Sequence, residues 1–171
     1  MKHLIILTAM LYQLSAAAQD LKTEYLFELT ADLNQPEMVG NVGNRMRVIY
    51  PVTGGTVKGP KINGKITSTS GDWGMVMDST TFKLDVRLTI LTDDGAYIFV
   101  SYGGYIHADA KTFAGLNAGT VDASKLDFYF RTNPVFETGS PKYAWLNHTI
   151  AVGVGRLPTP NSVAYKVYAI K

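Results

Sequence analysis

At 171 residues, 46% of them hydrophobic and 18% charged, the chain has room for one packed domain and too much apolar content to be disordered. Sixteen Lys and Arg against fourteen Asp and Glu leave a net charge of +2, and the basic residues are scattered, so no basic stripe points to nucleic acid. The absence of cysteine excludes disulfides, thiol nucleophiles, iron–sulfur clusters and every Cys-based zinc site.

The chain opens with a short positive start, Met1-Lys2-His3, followed by an apolar run from Leu4 to Leu14 and then Ser15-Ala16-Ala17-Ala18. Ala16-x-Ala18 satisfies the small-residue rule for signal peptidase, which predicts a signal peptide over residues 1–18 and a mature domain over 19–171. The run falls short of the roughly 20 apolar residues that cross a bilayer. The expectation is a secreted or periplasmic protein with no membrane segment in its mature form. Outside the cytoplasm, nucleotide and acyl-carrier cofactors are scarce, and no cofactor is expected.

From Tyr25 to Leu33 apolar and polar residues alternate, the period-two pattern of a half-buried strand. Met46, Val48, Tyr50 and Val52 repeat it, ending at Thr53-Gly54-Gly55-Thr56, a turn or bulge; Ile62 and Ile66 flank Gly64 on a further strand. Phe82, Leu84, Val86, Leu88 and Ile90 form one face of a strand whose other face carries Lys83, Asp85, Arg87 and Thr89. Asp93-Asp94-Gly95 then predicts a hairpin, with Ala96 to Tyr102 returning. Asp109 caps a short helix over 110–117, and Gly119 ends it. Strands are expected over 126–132, 143–154 and 163–170. Eight or nine short strands and one helix in a single domain predict an all-β fold. Closure into an antiparallel β-barrel of broadly lipocalin-like architecture hides the edges best.

Several runs together carry a family resemblance. They are Arg47-Val48-Ile49-Tyr50-Pro51-Val52-Thr53-Gly54-Gly55-Thr56, Gly59-Pro60, Gly71-Asp72-Trp73, Leu84-Asp85-Val86-Arg87 and Thr92-Asp93-Asp94-Gly95-Ala96. Phe130-Arg131-Thr132-Asn133-Pro134, Phe136-Glu137-Thr138 and Pro141-Lys142-Tyr143-Ala144-Trp145-Leu146-Asn147 complete the set. In this order and spacing, from about Glu24 to Ala169, the chain resembles the domain-of-unknown-function family numbered 3237. The resemblance implies an antiparallel barrel of the small ligand-holding kind, with no settled activity.

Asp85 and Arg87, two apart on a strand, point the same way. If that face lines the barrel, Arg87 is a fork for an oxyanion and Asp85 a general base. The competing reading is a structural or solvent-facing ion pair. Read as one strand face, Tyr143, Trp145 and Asn147 supply flat walls and an amide for a ligand. Asp72 and Trp73 are read as a cap on the barrel mouth, and Tyr129 and Arg131 as a further pair sharing a face. These seven are the ligand-binding candidates, each weighed against ordinary core or surface packing. His107 and His148 have no metal-like neighbours, and no metal site is expected. No nucleophile elbow, phosphate loop or dinucleotide fingerprint occurs. Asn147-His148-Thr149 is an N-glycosylation sequon that competes with an inward-facing Asn147; the inward, unmodified side chain is the expectation.

The sequence therefore predicts an exported barrel that holds a small, largely apolar organic molecule. The alternative is a cofactor-free isomerase, cyclase or lyase in the same barrel. A second copy of the chain is a candidate partner for the outer surface.

Overall fold

The computed structural model describes residues 20–171; the expected signal peptide lies outside the described residues. Eleven strands follow in chain order: β1 Thr23–Leu33, β2 Glu37–Val42, β3 Arg45–Lys58, β4 Gly64–Ile66, β5 Ser70–Val76, β6 Thr81–Thr92, β7 Tyr97–His107, β8 Tyr129–Thr132, β9 Val135–Glu137, β10 Ala151–Thr159 and β11 Ser162–Ile170. Helix α1 spans Ala110–Ala118, and 3₁₀ helices span Ala123–Lys125 and Pro141–His148.

Eight strands close into a ring in the order β1, β3, β5, β6, β7, β8, β10, β11 and back to β1, every pairing antiparallel. β2 extends one end of β3, β4 bridges β3 and β6, and β9 pairs with β7. Closure leaves the eight strands without free edges, and eight strands enclose an interior just wide enough for side chains or one small ligand. The seam between β8 and β10 is the thinnest, with only Gly153–Thr132 and Val154–Arg131 in register.

The alternating rows decide the inside. Phe27, Leu29 and Ala31 of β1 and Val163, Tyr165, Val167 and Ala169 of β11 are buried. On β6 the buried row is Phe82, Leu84, Val86, Leu88 and Ile90. The β6–β7 hairpin turns on Asp93-Asp94-Gly95, with Gly95 at φ +86°, a three-residue loop of the kind that ends in a left-handed glycine. Within the Thr53-Gly54-Gly55-Thr56 stretch β3 bulges at Thr53, which the β1 register skips between Asp32–Gly54 and Leu33–Val52. The Asp109 carboxylate accepts from the Lys111 and Thr112 amides to start α1, and Gly119 at φ +65° stops it.

The expected strand over 143–154 is corrected. Pro141 opens a 3₁₀ helix, and the strand starts only at Ala151. Three residues per turn put Tyr143 and Leu146 on one face, both buried, at 4% and 1% exposure. The alternation of Tyr143, Trp145 and Asn147 is therefore not a strand face.

Candidate functional site

The barrel has two unlike ends. At one, the β6–β7 hairpin and the Pro141–His148 helix close over a packed interior. The Tyr143 hydroxyl donates to Asp94 at 3.0 Å, Lys142 pairs with Asp94 at 2.6 Å, and the Asn147 amide clasps both backbone groups of Thr138 at 2.9 Å. Lys142 and its neighbours hold the Asp94 carboxyl well below the usual range. At the other end, α1, the chain after it and the β1–β2 and β10–β11 turns surround a mouth.

From that mouth a cavity of about 770 Å³ descends into the barrel. Leu84, Val86, Val52 and Ala31 form its walls, Phe113 and Leu116 of α1 reach in from above, and Tyr102 and Tyr165 lie at its floor. The two tyrosine rings meet edge to face at 5.4 Å, and Phe130 meets Tyr165 likewise at 5.2 Å. Below them Phe27, Val100, Phe136 and Val167 continue the packed core.

One carboxyl group faces this cavity from the barrel wall. Asp72 on β5 is 9% exposed. The β5–β6 ladder pairs Gly71 with Arg87 and Asp72 with Val86, then resumes only at Met75–Lys83. In that gap Asp72 Oδ1 accepts the Asp85 backbone N–H at 2.9 Å. On the β3 side, Arg47 Nη1 donates to the Trp73 carbonyl and, at 3.5 Å, to that of Gly74. Gly74 is required because a Cβ there would run into the Phe82 ring, which fills the place of its missing side chain. Side chains thus replace the ladder where β5 parts from β6.

Burial pushes the Asp72 carboxyl up to about 7; the nearby Asp85 charge adds to the rise, while the Asp85 amide and Arg47 oppose it. Burial also raises Tyr50, Tyr102 and Tyr165, and the charge of Asp72 bears on all three. The group best placed for proton chemistry is therefore Asp72, which faces a mostly apolar room.

The sequence-derived pair sits elsewhere. Asp85 and Arg87 form an ion pair at 2.7 Å on the outer surface, each side chain half exposed, with Arg87 lying 5.6 Å over the Trp73 ring. The apolar row Leu84–Val86–Leu88 takes the inside, so the expected inward placement of the charged pair is corrected. Tyr129 and Arg131 also share the outer face, in cation–π contact at 5.4 Å, with Phe130 between them pointing in. Trp145 is 38% exposed with Lys61 near its ring, and Asn147 is exposed rather than inward. Of the sequence-derived candidates, Asp72 alone lines the cavity. His107 and His148 are exposed, and no cluster of three metal-ligating side chains occurs among the described residues.

A closed antiparallel barrel with an internal cavity defines the architectural class. Within that class, residues 21–170 match the family described as Protein of unknown function (DUF3237), and the chain belongs to it. Three solved structures place the fold. The conserved protein RPA1785 from Rhodopseudomonas palustris is 30% identical, with a TM-score of 0.84 over 90% of this chain and 100% of that one. A beta-barrel like protein from Acinetobacter baumannii is 35% identical, with a TM-score of 0.78 over 91% of this chain and 99% of that one. An enzyme from Penicillium herquei, 21% identical, shares the fold at a TM-score of 0.63 over 92% of this chain and 100% of that one.

Proposed function

We propose that this protein is an exported barrel that binds a small, largely apolar organic molecule between the α1 mouth and the Tyr102–Tyr165 floor. The observation that carries the reading is the cavity of about 770 Å³, which falls in the range of small-molecule sites and has apolar walls with few polar groups. The test is native mass spectrometry of the protein purified from its own host. A copurified organic compound is expected, and Leu84→Trp, which drives an indole into the cavity, should release it. A wild-type protein that carries no compound and binds none from an extract of that host overturns the reading. Export rests on the Ala16-x-Ala18 site; the intact mass of the same sample should lack residues 1–18, and retention of Met1 would overturn it.

A second reading, cofactor-free proton-transfer chemistry such as isomerisation, cyclisation or elimination, is favoured by one observation. A carboxyl pushed up to about 7 exchanges its proton readily near neutrality, and Asp72 faces the cavity where Asp85 does not. Conversion of the copurified compound by wild type, lost in Asp72→Asn at saturating compound, is the expected result for an enzyme. Recovery of the compound unchanged makes the protein a carrier.

A further inference from the structure

The charges around the cavity are one-sided. No Lys, Arg or His lines it among the described residues; its acidic residues are Asp72 and, at the mouth, Asp122. Asp122 is engaged with the Ser124 amide and with Lys125 at 3.0 Å, which leaves Asp72 as the carboxyl of the interior among the described residues. A carboxylate, sulfate or phosphate on the ligand would leave water, meet no cation and face a like charge.

Asp72 also has an oxygen to spare. Its Oδ1 takes the Asp85 amide, and no protein group donates to its Oδ2 among the described residues. That oxygen calls for a donor on the ligand. The surroundings are flat and mostly apolar: Tyr50, Phe82 and Phe130 stand around the wall, and Tyr102 and Tyr165 lie at the floor. An ammonium group would bring three donors to this room and would require Asp72 to be ionised. A neutral hydroxyl needs one partner and is satisfied in either state of Asp72, donating to the carboxylate or accepting from the acid.

We infer that the cavity selects a neutral aromatic or enolic hydroxy compound, its hydroxyl on Asp72 Oδ2 and its ring among the aromatic side chains around it. This deepens the binding reading above and rests on it. Fluorescence titration of the purified protein at pH 7 with four bicyclic probes tests it: 2-naphthol, 2-methylnaphthalene, 2-naphthoate and 2-naphthylmethylammonium. Wild type should bind 2-naphthol roughly tenfold or more tighter than 2-methylnaphthalene, and 2-naphthoate most weakly. Asp72→Leu removes both oxygens, whereas an asparagine would still offer the hydroxyl an N–H donor. Asp72→Leu should abolish the 2-naphthol preference and leave 2-methylnaphthalene affinity unchanged, while Asp72→Asn, which keeps an oxygen for the Asp85 amide, should retain a cooperative melt and a 2-naphthol preference. Equal or tighter binding of the naphthoate or the ammonium overturns the inference, as does a 2-naphthol preference that survives Asp72→Leu. Binding of 2-methylnaphthalene without any 2-naphthol preference overturns the ligand class but not the cavity. Failure of every probe to bind wild type overturns both.

Discussion

The two halves of the barrel are built from the same strands and do opposite things. In the half under the Pro141–His148 helix, Phe27, Ile90, Ile98, Val100 and Phe136 are each at most 2% exposed, and Phe27 meets Phe136 edge to face at 6.1 Å. In the half under α1 the inward residues include Ala31, Val52, Val86 and Val163, and exposure along β6 rises from Leu88 at 0% to Phe82 at 8%. The backbone does not distinguish the halves. What covers each end does. Beneath a tightly bonded 3₁₀ helix the inward side chains meet and make a core, whereas beneath a helix set over a mouth even Tyr50, Phe82 and Phe130 line a room. A fold that spends half its interior on a cavity relies on the other half for stability.

Two isoleucines on the inner face of β7 test this most strongly. Ile98 is fully buried in the packed half, whereas Ile106 lines the cavity near the mouth and is only partly buried. Ile98→Ala should cost about 2–5 kcal/mol, since it removes contacts on every side and leaves a void. Ile106→Ala deletes a side chain that already faces space and should cost roughly 1 kcal/mol. Urea unfolding of the two variants is the measurement. Equal costs would mean that the upper half is as tightly packed as the lower.

Asp72 gives the next effect, and its sign is unusual for a carboxylate. Its pKa is about 7 in the folded protein against 3.8 as its ordinary value, so between those limits the native state holds a proton that the unfolded chain has released. The stability this contributes is full below about pH 4, falls as pH rises, and is gone above pH 7. A rise of that size corresponds to on the order of 4 kcal/mol at most. Asp85, Arg47, Tyr50, Tyr102 and Tyr165 are the neighbours that tune it. Asp72→Asn should therefore be more stable than wild type at pH 8, by roughly 2–4 kcal/mol, and close to it at pH 4. Glu24, lowered to about 2 by Lys171 and Lys61 on the surface of the packed end, has the opposite sign: its contribution is present above its ordinary pKa and lost in acid. A gap between Asp72→Asn and wild type that does not change with pH would mean that the room around Asp72 is as wet as bulk solvent.

These contrasts also show what is legible in the sequence. The strands around Tyr25–Leu33 and Phe82–Ile90, the Asp-Gly hairpin and the capped helix are readable because each has a local signal that packing does not override. Whether a row faces in or out is not local. Period two separates Leu84–Val86–Leu88 from Asp85–Arg87 but leaves inside and outside interchangeable until the ring closes. An inward charged pair follows only if the barrel interior is assumed to be a polar site. The rule that holds for β1, apolar row inward, settles β6 as well. Gly71-Asp72-Trp73-Gly74 has the composition of a turn, yet it is strand, paired to β3 throughout, with Gly74 making room for the Phe82 ring where the ladder to β6 is broken. Tyr143 and Leu146, three apart, carry the signal for a 3₁₀ helix, but alternation with Trp145 and Asn147 masks it.

The outer pair sets the smallest effect and the finest test of the comparison. Asp85 and Arg87 are half exposed, and an ion pair in that setting is worth about 0–1 kcal/mol. Arg87→Met also gives up the stacking on Trp73, which is partly offset because a methionine still covers the indole. Its unfolding free energy should therefore stay within about 1 kcal/mol of wild type, with probe affinity unchanged. Asp85→Asn should be as mild in stability, but it reaches the cavity through the wall. The Asp85 charge helps to raise Asp72, so removing it should lower the Asp72 pKa while leaving the backbone amide that bonds Asp72 in place. Carboxyl-carbon NMR titration of Asp72 in wild type, Asp85→Asn and Arg87→Met reads this directly. A downward shift in Asp85→Asn shows that the outer pair acts on the inner carboxyl by charge alone. A loss of probe binding in Arg87→Met would instead mean that the guanidinium reaches the ligand, and the division of the β6 strand into a cavity face and a solvent face would fail.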